Sequence, residues 1–384
     1  MTVLTGARVV GPAGVLANGE VRIADGRITS VGPASAALSS AAADPRSAPA
    51  QDERIDLDGC WLAPGFLDLH VHGGGGHDVT RSAADLIAAV RFHRSHGTTR
   101  TLVSLMAQPV DQLCEQLGWI AELAATGDIL GVHLEGPFLS AARCGAQRPE
   151  NLLMPDPLVL RKLLEAGQGS VRTMTVAPEL PGAHALITDL LAAGVIVAVG
   201  HSDASYEQAA EAFGAGARLA THLFNAMGSF DHRAPGPSVA ALDTGVFVEM
   251  INDGVHVHDA LTRLVSRVAP QSLIFVTDAI SATGIGDGEY TLGDQTVRVS
   301  AGKAWSAEDR LAGSTLTMDE AVRRAVLQVG LSIEQAVAAA STTPARLLGL
   351  EDECGAIRAG LAADLVVLDA DLRLRRVMVG GDWL

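Results

Sequence analysis

His70 and His72 stand one residue apart in His70-Val71-His72-Gly73, directly after an apolar run. The same arrangement recurs along the chain. Glu135 closes His133-Leu134-Glu135 before Gly136-Pro137, His201 precedes Ser202-Asp203, and His222 sits in Thr221-His222-Leu223-Phe224-Asn225. Asp278 follows Thr277, and His256 comes just after Asn252-Asp253-Gly254-Val255. Imidazole and carboxylate groups without cysteine are the donors that zinc takes, and that iron, manganese, cobalt or nickel also accept. A single histidine after an apolar run is ordinarily a hydrogen-bonded structural residue. Repetition at most of the runs is harder to explain by packing, because burying unpaired ionisable groups costs several kcal/mol each. A shared cation removes that cost. Glu135, His201 and His222 provide three ligands and leave a position open for water, the form of a catalytic site. His70 and His72, with Asp278 and a bridging Glu135, could hold a second ion. The expectation is therefore one or two divalent cations per subunit, zinc foremost.

The elements that must position these residues are legible as hydrophobic periodicity. Eight apolar runs of strand length occur: Gly65 to Val71, Thr99 to Leu105, Ile129 to Leu134, Val171 to Val176, Val195 to Val199, Leu219 to His222, Val246 to Ile251 and Leu273 to Thr277. Helix-like stretches lie between them, such as Ala83 to Ser95, Pro157 to Ala166, His184 to Ala193 and Ser205 to Phe213. Near-continuous apolar strands alternating with helices mean a parallel sheet buried on both faces. Eight units predict an α/β fold, a (β/α)8 TIM barrel, with a doubly wound open sheet as the alternative. In a barrel the chemistry sits at the C-terminal ends of the strands, where these polar residues fall. Strand alternation would point His70 and His72 to one face.

The chain ends read differently. Short strands are predicted at Ala7 to Val10, Gly19 to Ile23 and Arg27 to Val31, and again at Ala363 to Asp369 and Leu374 to Val379. Pro33 to Arg54, rich in Ala, Ser, Asp and Pro, reads as a surface loop. Gly288 to Ala304 reads as a hairpin inserted after the eighth strand, covering the sheet or joining the small domain. The expected organisation is a small discontinuous β-sandwich domain from both ends, residues 1–62 and 350–384, around a metal-dependent catalytic barrel at 63–349.

Composition narrows the function classes. Apolar residues form 48% of the chain and charged residues 19%, enough for a sizeable core. A net charge of -16 opposes binding to nucleic acid but allows a small phosphorylated substrate where cations gather locally. No apolar run approaches the ~20 residues of a membrane span, and no secretory signal is evident at the N-terminus. The four cysteines, Cys60, Cys114, Cys144 and Cys354, show no framework spacing, consistent with reduced thiols. A cytoplasmic enzyme is the expectation.

The order His-x-His, Glu, His, His, Asp along eight barrel strands resembles the amidohydrolase superfamily. The segments Pro64 to His70, His133 to Phe138, Gly200-His201-Ser202, Thr221 to Met227, Asp253 to His256, Thr277-Asp278-Ala279 and Leu311-Ala312-Gly313-Ser314 are similar to its N-acetylglucosamine-6-phosphate deacetylase family. The resemblance implies hydrolysis of the acetamide of N-acetylglucosamine 6-phosphate to glucosamine 6-phosphate and acetate, as in amino-sugar catabolism and recycling. Metal-activated water would attack, with Asp278 as general base and then acid. His256 would stabilise the oxyanion, and Asn225 and Ala226 would contact the sugar or its phosphate. Ala146, Gln147, Leu311 and Gly313 would be further substrate contacts. Arg233 occupies the place from which that family's arginine reaches the phosphate in a neighbouring subunit, which implies a homodimer.

The loop after the third strand departs from the family. Gln147 stands where a histidine is expected and Cys144 where a lysine is common. Cys144 reads as an exposed loop residue or a redox-sensitive one, and Pro137 to Pro149 as a lid. Another deacetylase or amidase of the superfamily, acting on N-acyl amino acids or isoaspartyl dipeptides, is the alternative. Relatives that bridge two metals with a carboxylated lysine on strand four are set apart, since strand four here ends Thr175-Val176-Ala177-Pro178-Glu179.

Overall fold

The computed structural model describes residues 1–34 and 53–384. Two compact units emerge, one of 68–93 and 100–331, the other of 1–67, 94–99 and 332–384. All eight expected barrel strands are present, in chain order across one sheet. They are Phe66–Asp68, Thr98–Met106, Gly131–Glu135, Val171–Val176, Ile196–Val199, Leu219–Ala220, Phe247–Ile251 and Leu273–Val276. Neighbours from the second to the eighth pair in parallel, for example Gly131 with Leu102 and Val248 with Leu273. A parallel bridge between Val71 and Ala279 joins the first segment to the eighth, closing the ring. Leu273–Val276 is buried throughout, as a strand covered on both faces must be.

The first strand is shorter than its apolar run. It ends at Asp68, so His70 and His72 lie beyond it rather than in strand alternation. Their backbone is nevertheless held extended. Asp278 N donates to His70 O at 2.9 Å, His72 N to Ala279 O at 2.8 Å, and Ser104 N to Val71 O at 2.7 Å. Below them, Asp68 accepts from the Thr277 hydroxyl at 2.5 Å and from Thr277 N at 3.2 Å, which ties the ends of strands one and eight together.

A helix follows each strand, and local signals set where helices begin. Asp156 caps Pro157–Gly167 by accepting from Leu158 N, with proline at the first turn where no amide is needed. Ser205 and Gln208 form a reciprocal capping box on Tyr206–Gly214. The inserted segment is three-stranded, Gly288–Leu292, Gln295–Ser300 and Lys303–Trp305. Its Leu292, Val297, Val299 and Ala304 pack with Met106, Ile280, Ala282 and Ala312, so it covers the barrel rather than joining the small domain.

Both chain ends meet in a single eight-stranded sheet. Thr2–Gly11 pairs with Gly14–Ala24, and that strand with Arg27–Pro33. Trp61–Pro64 pairs antiparallel with Leu365–Leu368, which continues to Leu374–Val379 and Asp382–Trp383. Leu4, Val21, Ile28, Leu62, Leu365 and Met378 form its core. Of the expected loop Pro33 to Arg54, residues 35–52 lie outside the described residues, and strands flank them. Among the described residues no helix is long and apolar enough to cross a membrane.

Candidate metal centre and pocket

The residues singled out from the sequence converge at the C-terminal ends of the barrel strands. His201, His222 and Asp278 each hold a left-handed backbone, with φ of 46°, 27° and 50°. A residue other than glycine is uncommon there, and such strain concentrates at functional sites. Glu135 Oε1 lies 3.0 Å from Nε2 of both His201 and His222, whose Nε2 atoms are 3.2 Å apart. On the other side, Nε2 of His70 and His72 are 3.1 Å apart. Each stands 3.5 Å from a Glu135 oxygen, while Asp278 Oδ1 is 3.5 Å from His70 and 3.2 Å from His72.

This donor set fits a cation. Imidazole nitrogens that face each other at hydrogen-bond distance cannot both donate and both accept, yet here two such pairs point at one carboxylate. Glu135 with His201 and His222, and Glu135 with His70 and His72, form two groups able to hold an ion, both buried. Without one, the imidazoles must balance the carboxylates. Burial opposes charge on His70, but Asp278, Glu135 and Glu249 raise its pKa to about 10. Burial likewise raises Asp278, but His70 and His72 more than offset it and hold the carboxyl at about 2.

Several groups outside the cluster fix its geometry. Nδ1 of His201 meets the carbonyl of Arg143 at 2.9 Å, which leaves Nε2 as the donor toward a cation. Glu249, buried within the seventh strand, approaches Nδ1 of His70 at 3.4 Å and accepts from His222 N at 3.3 Å. Gln147 donates to Glu135 Oε2 at 2.8 Å. Asp253 Oδ2 meets Nδ1 of His256 at 2.7 Å. Burial lowers the His256 pKa, but this hydrogen bond and the charge of Asp253 raise it overall. His258 instead caps the helix Asp259–Val268 by accepting from Ala260 N.

One pocket collects most of the expected site. His72, Glu135, Ala146, Gln147, His201, His222, Asn225, Ala226, His256, Asp278, Leu311 and Gly313 all line it, with His70 buried behind. Arg233 does not. It lies on a separate depression with Arg143, Asp203 and the start of the helix Tyr206–Gly214. Cys144, expected to be exposed, is buried, 3.0 Å from Arg310 Nη1. Three residues were missed from the sequence. Arg310 directly precedes Leu311, Asp253 is three residues before His256, and Glu249 interrupts an apolar strand. That interruption was the signal available for Glu249.

The Amidohydrolase family model matches residues 61–384. The chain belongs to this family. It is 39% identical over 349 residues to N-acetylglucosamine-6-phosphate deacetylase of Bos taurus, covering 86% of this chain and 85% of that one. It is 34% identical over 385 residues to N-acetylgalactosamine-6-phosphate deacetylase of Escherichia coli O157:H7, covering 99% and 98%. Among solved structures, N-acetyl-D-glucosamine-6-phosphate deacetylase of Mycobacterium smegmatis superimposes with a TM-score of 0.91 at 42% identity, covering the whole of both chains at 100%. A mutant of that protein in complex with N-acetyl-D-glucosamine 6-phosphate gives 0.92, also at 42% identity, covering 100% of this chain and 98% of that one. Within the amidohydrolase family, then, the chain is similar over nearly all its length to deacetylases of phosphorylated amino sugars.

Proposed function

We propose that this amidohydrolase removes the acetyl group of N-acetylglucosamine 6-phosphate, giving glucosamine 6-phosphate and acetate. The observation that carries the reading is the convergence of Glu135, His201, His222, His256 and Asp278 on one pocket at the strand ends. The substrate class follows from the relatives' names.

Glu135, His201 and His222 would hold one cation, and His70 and His72 with Glu135 and Asp278 a second. Zinc suits this nitrogen and oxygen donor set best, and iron, manganese, cobalt or nickel also fit it. A bound divalent ion supplies Lewis acidity, making water more acidic and polarising the carbonyl.

The chain's own residues handle the protons. Asp278 accepts a proton from the attacking water as its oxygen joins the carbonyl carbon. His256, with Nδ1 held by Asp253, donates through Nε2 to the carbonyl oxygen as negative charge builds there. When the C–N bond breaks, Asp278 returns its proton to the amine nitrogen, without which the amine is a poor leaving group. Asn225, Ala226, Ala146, Leu311 and Gly313 border the sugar. Because Arg233 lies off the pocket, this reading assigns it to the site of a neighbouring subunit in a homodimer. The catalytic barrel is taken as residues 63–349, flanked by β segments at 1–62 and 350–384.

The test is acetate release from N-acetylglucosamine 6-phosphate beside the unphosphorylated sugar, with metal content measured on the same sample. Chelator-sensitive release that favours the phosphorylated sugar supports the reading. No release from fully metallated protein sinks it. N-acetylgalactosamine 6-phosphate belongs in the same assay, because a relative of that name matches 99% of the chain.

A further inference from the structure

A phosphorylated sugar needs a cation near its phosphate, and Arg233 lies outside the pocket of its own subunit. The pocket lining nevertheless contains one lysine or arginine among the described residues, Arg310. Its place is set by a tight turn in which Ser306 N donates to Arg310 O at 2.8 Å and Arg310 N to the Ser306 hydroxyl at 3.4 Å. From there the chain runs through Leu311 to Gly313, where φ is 63°. A Cβ added to Gly313 would sit 2.9 Å from Asp278 O, so this segment leads from the pocket edge to the proposed general base.

The guanidinium is anchored on one side only. Nη1 donates to Gly145 O at 3.0 Å and lies 3.0 Å from Cys144 Sγ. Gly145 in turn lies against His201, since a Cβ there would be 3.1 Å from the ring Cε1. Arg310 is thereby held on the side of the pocket that carries His201. No carboxylate pairs with it among the described residues, and its Nε and Nη2 donors are not used by these contacts. The Nε–Nη2 edge of a guanidinium matches two phosphate oxygens.

We propose that Arg310 is a specificity-determining residue that binds the substrate's phosphate from within the same subunit. This rests on the sugar-phosphate reading and adds to it a cation supplied in cis. Fastening the loop through Nη1 and binding phosphate through the opposite edge are compatible, because the fork offers separate donors.

The test compares kcat/KM for N-acetylglucosamine 6-phosphate and for unphosphorylated N-acetylglucosamine in the metallated wild type and in Arg310→Ala, Arg310→Gln and Arg310→Lys. Loss of a charge-assisted contact predicts a fall of about ten- to a hundredfold for the phosphorylated sugar, mainly in KM. The unphosphorylated sugar should change by less than about threefold, as expected when no charged partner is lost. Gln keeps an amide donor for the loop without the charge and should lose the preference as Ala does, whereas Lys should restore part of it. Equal losses for both sugars would assign Arg310 to loop fastening alone and overturn the inference. So would an undiminished preference in Arg310→Ala. A wild type that shows no preference for the phosphorylated sugar would overturn the substrate reading itself, and this inference with it.

Discussion

The side chain of Gln147 is bonded at both ends: its Oε1 accepts from Ala107 N at 2.8 Å and its Nε2 donates to Glu135 Oε2 at 2.8 Å. Both groups are buried, and the backbone of Ala107 follows directly on the second barrel strand. Glu135 is thus clamped with Oε1 toward His201 and His222 and Oε2 secured by an amide. Gln147→Ala should weaken cation binding about 10–100-fold, the usual cost of losing a group that orients a ligand, and lower kcat more than it raises KM. Chelator competition on the purified variant measures this. Unchanged cation affinity with a raised KM would instead return Gln147 to contact with the sugar.

Asp278 stands just beyond the eighth strand and lines the pocket with Glu135 and His256. It is therefore placed to accept a proton from an attacking water. Asp278→Asn keeps the shape and removes that capacity, so kcat should fall about 10²–10⁴-fold, the range for losing a general acid–base group. The cation group of Glu135, His201 and His222 does not include Asp278, and its metal content should persist. Near-normal turnover in this variant would remove Asp278 from the proton path.

How far this site could be read from sequence depends on the scale at which each residue is fixed. His201, His222 and Asp278 follow apolar runs at the points where strands end, so periodicity and barrel geometry together placed them. The His70–His72 pair was placed for a partly wrong reason. The regular strand ends at Asp68, and beyond it an isolated bridge between Val71 and Ala279, with backbone hydrogen bonds to Ala279 and from Asp278, holds the two imidazoles, which no local pattern encodes. Arg310 carries no local signal, because its position depends on a turn made by Ser306 and on the loop at Gly145, 165 residues away in sequence. The covering hairpin was legible as strands, but its third strand, Lys303–Trp305, is short and carries little alternation.

Glu249 is a carboxylate in an otherwise apolar strand, and its two polar partners are Nδ1 of His70 and the backbone N of His222. Each partner belongs to a different candidate ion group. For His70 the contact matches the carboxylate–histidine pairing that fixes which ring nitrogen faces a metal. Glu249→Gln retains volume and an acceptor for His222 N, so the fold and the group of Glu135, His201 and His222 should survive. The ion held by His70 and His72 should weaken by about 10–100-fold. Metal titration read by stoichiometry, with thermal unfolding as a check on the fold, separates the two groups. Equal weakening of both would mean that Glu249 supports the barrel end as a whole.

Arg233 is exposed, its backbone N bonded to Asp231 Oδ1 at 2.8 Å, on a depression distinct from the pocket. If it completes the site of a second subunit, then Arg233→Ala and Asp278→Asn disable a dimer in different ways. A mixed dimer holds one site in which Asp278 is intact and the arginine comes from the other chain. Co-expression of the two variants should therefore give more activity than the two variants contribute separately, with the phosphorylated sugar as substrate. The added activity should depend on subunit association and disappear on dilution below the dimer's dissociation constant. If Arg233 acts within its own subunit, every site in the mixture lacks either the arginine or the carboxylate, and no activity is gained. Because Arg310 is intact in both variants, any preference for phosphate left in Arg233→Ala alone measures the cis contribution directly.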